Sequence, residues 1–193
     1  MIRNLIKTLL FCLTGMILMT AVISLIYITD QQNIRQSAND PQLQLSEDIA
    51  SVLGKGIPPS AIASSFNQIN IKTSLSAFVI IYDINGNVLA SSGQLGGQVP
   101  IIPKGVLEHA KEWGQNRRTW EPQDDVRIAT VTTPFSASNQ SGYVLVGRSL
   151  RELEKRELKL RLECIIVWLG SMFLIVIMSV LSAIFSFRVR NNN

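Results

Sequence analysis

Two long segments without a charged residue constrain the fold of this chain more than any other feature of its sequence. Residues 8–29 and 164–187 contain no Asp, Glu, Lys or Arg, and both are rich in Leu, Ile, Val, Met and Phe. As α-helices they would be about 33 and 36 Å long, enough for each to cross the hydrocarbon core of a membrane. This pattern argues against a soluble enzyme and against a transporter whose site lies between many helices. It predicts a two-pass membrane protein with a central domain formed by residues 30–163.

The distribution of charge predicts the orientation of the two spans. Residues 30–163 contain 14 basic and 14 acidic residues, so the net charge of +4 comes entirely from the two ends. Residues 1–7 and 188–193 hold basic residues and no acidic one, which is typical of cytoplasmic segments. We therefore expect a protein of the plasma or inner membrane with two cytoplasmic tails and an extracytoplasmic central domain. The first span is expected to be an uncleaved signal anchor, since its apolar run is long and no small-x-small cleavage site follows it.

Helical signals open the central domain. Asp40-Pro41 predicts the start of a helix that ends at Gly54, and a second short helix is predicted over residues 60–68. A third helix, later in the domain, is predicted to end at Gly114. None of these helices carries a chemical motif.

Strand signals follow the first two helices. Residues 77–82 form a continuous apolar run, which predicts a central strand buried on both faces with Ile80 in the core, and Asn85-Gly86 predicts a hairpin turn after it. Five strands are predicted in all, over residues 77–82, 88–90, 119–122, 126–134 and 142–147. We predict an α+β fold with a five-stranded antiparallel sheet, a helical crossover after its second strand, membrane-proximal helices and two transmembrane helices.

Residues 148–163 predict a stalk helix that continues into the second span, because they lack Gly and Pro and are mostly strong helix formers. Leu150, Leu153 and Leu160 match the a/d spacing of a coiled coil, but Glu157 occupies the a position between them. Two interpretations remain open. The segment is either a solvated spacer with Glu/Lys and Glu/Arg pairs or a signalling stalk through which two copies form a homodimer.

Four strand and turn patterns stand between the two spans: Phe78-Val-Ile-Ile-Tyr-Asp83, Asn85-Gly-Asn-Val-Leu-Ala-Ser-Ser-Gly93, Arg127-Ile-Ala-Thr-Val and Gly142-Tyr-Val-Leu-Val-Gly-Arg-Ser-Leu150. In this order they resemble the extracytoplasmic sensor region of two-span bacterial sensor histidine kinases, which contains a PAS-like or Cache-like domain. The resemblance implies a sensor of a two-component system. Such a sensor detects a ligand or the state of the envelope outside the cell and transmits it through the second transmembrane helix.

A ligand pocket in such a domain would lie over the sheet. The side chains that could reach it are those of Trp120, Arg127, Tyr143 and Arg148. The two arginines could hold a carboxylate or a phosphate, and an aromatic ring could cover the apolar part of a small-molecule ligand. The alternative is that these four residues make structural contacts or face solvent.

The histidine kinases continue after the second span into a HAMP linker, a phosphorylatable histidine helix and an ATP-binding domain. Here only residues 188–193 follow, and the sole histidine, His109, lies in the predicted external helix. No kinase activity is therefore expected of this sequence. It is expected to be either a stand-alone sensor that contacts a separate kinase or a fragment of a longer receptor.

The sequence carries no catalytic signature. It has no His/Cys/Asp/Glu cluster at metal-ligand spacing, no nucleophile elbow and no phosphate loop, so we expect no enzyme activity, no catalytic residues, no metal and no cofactor. Arg117-Arg118 is too small a basic patch for nucleic acid. Expected partners are the membrane, a second copy, a small-molecule ligand and a kinase or envelope protein. A different function remains open, in which the chain is a structural scaffold that binds an envelope partner without sensing.

Overall fold

The computed structural model describes residues 2–138 and 140–191. In chain order the elements are α1 (Ile2–Ser37), α2 (Asp40–Gly54), α3 (Pro59–Ser64), β1 (Ile69–Asn70), β2 (Phe78–Asp83), β3 (Val88–Ser91), β4 (Gly93–Gln94), α4 (Lys104–Trp113), β5 (Asn116–Trp120), β6 (Ile128–Ser136), β7 (Ser141–Ser149) and α5 (Arg151–Asn191). They form two units. Ile34–Glu154 is the α+β domain, and the residues up to Asn33 together with those from Lys155 onward are the helical unit.

The helical unit consists of most of α1 and most of α5. Ile6–Ile34 and Arg151–Phe185 are long and apolar enough to span a membrane, which confirms the prediction of two long apolar helices. The two helices run antiparallel. Two pairs of positions show this arrangement. The indole Nε1 of Trp168 donates a hydrogen bond to the Thr20 Oγ1 at 3.0 Å, and Gly15, earlier in α1, lies beside Ile175, later in α5.

The α+β domain contains a five-stranded antiparallel sheet with the strand order β3-β2-β7-β6-β5. The predicted α+β class and its five-stranded antiparallel sheet are thereby confirmed. Helix α4 makes the crossover from the β2–β3 hairpin to β5, as predicted, and Gly114 ends it in the left-handed conformation at φ 75°. A Cβ disfavours that conformation, so glycine is suited to this position.

Both faces of the sheet are covered. Phe78, Ile80 and Tyr82 of β2 belong to a core cluster that also includes Val106 and Ala110 of α4. On the other face, Val79 and Ile81 of β2 join a second cluster with Ile49 and Leu53 of α2. Successive side chains of a strand point to opposite faces, so the continuous apolar run of β2 serves both layers. The prediction of a central strand buried on both faces is confirmed.

Several boundaries differ from the sequence-based prediction. Helix α3 ends at Ser64 rather than at residue 68, and the chain then forms β1, which pairs in parallel with β4. Strand β5 begins at Asn116 and ends at Trp120, and β6 begins at Ile128. Helix α1 also continues beyond residue 29, to Ser37.

The predicted stalk helix over residues 148–163 starts too early. Strand β7 extends to Ser149, and Arg148 is still paired with Ala129 of β6. The next amide, that of Leu150, donates to the Arg127 carbonyl at 2.9 Å. These inter-strand contacts hold Arg148 and Leu150 outside the helix. Helix α5 therefore begins at Arg151.

Candidate functional site

The four residues predicted to line a ligand pocket have two different environments. Trp120 and Tyr143 are each only 7% exposed and belong to the core cluster on the α4 side of the sheet. Arg127 and Arg148 are exposed. Tyr143 and Arg148 lie five residues apart on β7, and an odd spacing along a strand places two side chains on opposite faces.

Each arginine binds a group of the domain itself. The Arg148 Nε donates to the Leu75 carbonyl at 3.2 Å, and the Arg127 Nη1 lies 2.6 Å from the Glu154 Oε1. The structure therefore brings Trp120 and Tyr143 into one cluster but does not bring the four residues together as an anion clamp. The odd spacing between positions 143 and 148 was readable in the sequence.

Three polar side chains on the α4 side were not predicted as site residues: Thr132 and Tyr82 are buried, and Asn116 is half-buried. We call these three residues the polar row. Asn116 is the register partner of Thr132, and Thr132 is the register partner of Leu145, which shares the core cluster with Tyr82. Directly paired residues have side chains on the same face of a sheet. All three side chains thus lie on one face of the sheet, with Asn116 and Thr132 directly paired and Tyr82 separated from them by β7.

The polar row has unused hydrogen-bonding capacity. Asn116 Oδ1, Thr132 Oγ1 and Tyr82 Oη are buried and have no hydrogen-bond partner among the described residues. An unsatisfied buried polar atom costs about 1–3 kcal/mol, and such atoms in native proteins call for a partner such as water or a ligand. Three of them on one face leave hydrogen-bonding capacity that a water or a small ligand could use.

The chemistry of the polar row is that of neutral groups. Burial raises the pKa of the Tyr82 phenol above its ordinary value, so the hydroxyl remains a proton donor at neutral pH. The Thr132 hydroxyl can donate or accept, and the Asn116 carbonyl oxygen accepts. Trp120 and Tyr143, from the predicted set, lie in the core of the same side. This combination suits an uncharged molecule with polar and apolar parts.

The sequence contained one signal for the polar row. Thr132 lies four residues after Ile128 on β6, and an even spacing places both side chains on the same face of the sheet. Ile128 is a core residue on the α4 side, so the sequence indicated that Thr132 faces inward once the strand was placed. The missing hydrogen-bond partner was not readable. It depends on residues of three other elements.

Thr132→Val should stabilise the α+β domain by about 1 kcal/mol, because valine has nearly the same shape and removes a buried hydroxyl that has no partner among the described residues. Thr130→Val is the matched control. Thr130 is equally buried on the same strand face, but its hydroxyl donates to the Arg118 carbonyl at 3.0 Å, so this change should destabilise the domain by about 1 kcal/mol. Chemical denaturation of the full chain in detergent measures both. Equal destabilisation by the two substitutions would contradict the assignment of an unsatisfied hydroxyl at Thr132.

The junction between β7 and α5 is fastened within the α+β domain. Only Leu150 separates the two elements, and the contacts of the first turn of α5 include two side-chain contacts to distant parts of the domain: the Arg151 Nη2 donates to the Thr73 carbonyl at 2.6 Å, and Glu154 pairs with Arg127. We call these two contacts the junction clamp. The first turn of α5 is therefore joined to β7 through Leu150 and is held to the rest of the domain at Thr73 and Arg127.

The predicted stalk leucines do not form one continuous helical stripe. Leu150 precedes α5, and Leu153 lies in its first turns within the α+β domain. In the helical unit Leu160 is half-buried, and Glu157, one turn before it, accepts a hydrogen bond from the Gln31 Nε2 of α1 at 2.5 Å. The side of α5 that carries Glu157 therefore contacts α1 of the same chain. The homodimer remains a prediction.

Comparison with protein-family models finds no matching family, and a search of the curated proteins finds no match to the chain.

Proposed function

We propose that the chain is a membrane-anchored sensor module of the two-component type. Its α+β domain is extracytoplasmic and PAS-like or Cache-like, both ends are cytoplasmic, and the second transmembrane helix carries the signal. The observation that carries the proposal is the junction of β7 with α5. A strand from the middle of the sheet passes through one residue into a 41-residue helix whose first turn is held by the junction clamp.

The position of β7 in the sheet explains why this junction suits signal transmission. Strand β7 lies between β2 and β6 and contributes Tyr143 and Leu145 to the core on the side of the polar row. A ligand that binds there and shifts this layer would move β7. Packed layers respond as units because interiors are close-packed, so the displacement would reach Ser149 and α5.

The strand order supports a PAS-like or Cache-like domain. Within the five-stranded sheet, the first strand along the chain (β2) lies between the second (β3) and the last (β7), and α4 follows the second strand. This arrangement is in line with the resemblance of the strand and turn patterns. The polar row supports a neutral small-molecule ligand, whereas the separate placement of Arg127 and Arg148 disfavours the carboxylate or phosphate clamp.

Ligand binding should change the junction as well as the domain. A panel of neutral small molecules is screened by thermal unfolding of the full chain in lipid nanodiscs. A ligand present at about 100 times its Kd should stabilise the domain by about 2.7 kcal/mol. With such a ligand, hydrogen exchange should change in residues 151–160 as well as in the sheet. Glu154→Gln breaks one contact of the junction clamp and should weaken the change in α5 while the domain stays folded, since an exposed ion pair contributes about 0–1 kcal/mol.

Glu163→Gln provides the matched control for that experiment. It removes the exposed Lys159–Glu163 pair farther along α5 and should leave the ligand-induced exchange unaltered. A stabilising ligand whose effect on exchange ends at Ser149 would contradict transmission through α5. Copurification with an envelope protein, together with no ligand effect from the panel, would favour the structural scaffold instead.

A further inference from the structure

The helical unit contains a cavity of about 570 Å³ between α1 and α5. Its lining residues come from Thr20–Ile28 of α1 and from Arg161–Trp168 of α5. Most of the lining is apolar, but the cavity also has polar groups at its two ends. The inner end lies within the two charge-free segments, and the other end lies at Arg161, just outside the second of them.

The inner end is closed by a satisfied hydrogen bond. The Trp168 indole donates to the Thr20 hydroxyl at 3.0 Å, so neither group needs a partner from a ligand there. Ile23, Ile28 and Ile165 line the space between this bond and the outer end. Such a lining suits a hydrocarbon chain.

Arg161 places a cation at the outer end of the cavity. Among the residues that the structure describes, no acceptor lies within hydrogen-bond or ion-pair distance of its guanidinium. Glu157 has the i−4 spacing that would ordinarily pair with Arg161, but it accepts the hydrogen bond from Gln31. The guanidinium is therefore available to an external anion.

Tyr27 adds a second polar group at the same end. Its hydroxyl oxygen accepts a hydrogen bond from the Gln31 Nε2 at 3.3 Å, which leaves the phenolic proton available to donate. Tyr27 and Arg161 lie seven residues from Thr20 and Trp168, respectively, or about 10 Å along each helix. Tyr and Arg at the headgroup level of a membrane interact with lipid phosphates, and arginine binds phosphate through two parallel donors.

We propose that this cavity binds one anionic phospholipid from the leaflet on the side of the α+β domain. The phosphate contacts Arg161 and Tyr27, and an acyl chain lies between the isoleucines and reaches Trp168. The inference rests on the proposed membrane anchoring. It adds a lipid ligand that bridges α1 and the helix proposed to carry the signal.

The test uses the full chain reconstituted in phosphatidylcholine nanodiscs that contain a minor fraction of phosphatidylglycerol. After transfer to detergent, native mass spectrometry should find one phosphatidylglycerol retained on the wild-type chain. Arg161→Gln should weaken this retention roughly tenfold, the effect of losing a charge-assisted hydrogen bond. Arg156→Gln is the control, because it makes the same change of charge at an exposed position of α5 that does not line the cavity.

A second variant tests the apolar part of the cavity. Ile165→Trp adds volume to its wall and should likewise weaken retention while Arg161 is intact. An unchanged helical signal in circular dichroism shows that the helical unit is still folded. Equal retention by wild type and Arg161→Gln would overturn the proposal. Displacement of the lipid by inorganic phosphate would overturn it as well, since the site would then recognise the ion alone.

The outcome for membrane anchoring is measured separately by alkaline carbonate extraction of reconstituted vesicles. A chain that is extracted is not anchored, and both proposals fail. A chain that stays in the bilayer but retains phosphatidylcholine and phosphatidylglycerol equally contradicts the lipid site and leaves the anchored sensor intact.

Discussion

Ile80→Asp should unfold the α+β domain. Ile80 is fully buried in β2, between its register partners Leu145 of β7 and Ser91 of β3, and belongs to the core cluster on the α4 side. A carboxylate at this position would have neither water nor a cation, which costs several kcal/mol, a loss comparable to the whole stability of a small domain. Circular dichroism and limited proteolysis of the full chain in detergent should show loss of the sheet with the apolar helices retained.

Ile101→Asp is the matched control for this substitution. The side chain of Ile101 is 85% exposed, so the same chemical change there should alter the stability of the domain by no more than about 0.5 kcal/mol. An Ile80→Asp protein with an unchanged spectrum and an unchanged unfolding midpoint would contradict the placement of β2 in the core.

Gly147→Ala should destabilise the α+β domain by about 2–3 kcal/mol. Gly147 is the register partner of Phe78, and a Cβ at position 147 would overlap the Phe78 ring. On another side of this ring, a Cβ at Gly93 would lie 2.7 Å from a ring carbon, so the ring is confined between the two glycines. Overpacking of a buried site with little room to relax has a cost of this size. Equilibrium denaturation in urea measures it.

A smaller side chain at position 78 should relieve the clash. Phe78→Leu alone is expected to destabilise the domain modestly, but combined with Gly147→Ala it should cost at least 1 kcal/mol less than the sum of the single effects. Gly105→Ala is the contrasting control. An added Cβ there meets nothing within 4 Å and lies in α4, so alanine should stabilise the domain by about 0.5 kcal/mol. Strict additivity of the position 78 and 147 changes would argue against the confined ring.

The parts of the fold that follow from local patterns were predictable. The run at residues 77–82, the Asn85-Gly86 turn and the glycine at the end of α4 each specify backbone conformation through neighbours in sequence. Gly86 and Gly114 have φ angles of 86° and 75°, where glycine is favoured. The turn is further fixed by Asp83, whose carboxylate accepts hydrogen bonds from the amides of Asn85 and Asn87 at 2.8 Å. Hydrogen bonds from Asn87, foremost from its side chain, lower the pKa of Asp83.

The candidate site was predicted less well than the fold. Sequence reasoning selected residues by chemical type, and Trp120 and Tyr143 do share the core on the side of the polar row. It placed Arg127 and Arg148 with them, although one pairs with Glu154 and the other binds the Leu75 carbonyl. It missed Thr132, because what distinguishes Thr132 from Thr130 is the presence or absence of a partner on a neighbouring strand.

The sequence by itself determined the two long apolar helices, the positions of the main strands along the chain and the burial of β2, because charge-free length and side-chain periodicity are properties of contiguous residues. Only the tertiary structure decided that β1 pairs with β4, that β7 continues to Ser149 before α5 begins, and that Glu157 binds Gln31. Each of these depends on hydrogen bonds between residues far apart in the chain. Their formation is set by strand register and helix packing, which no local pattern specifies.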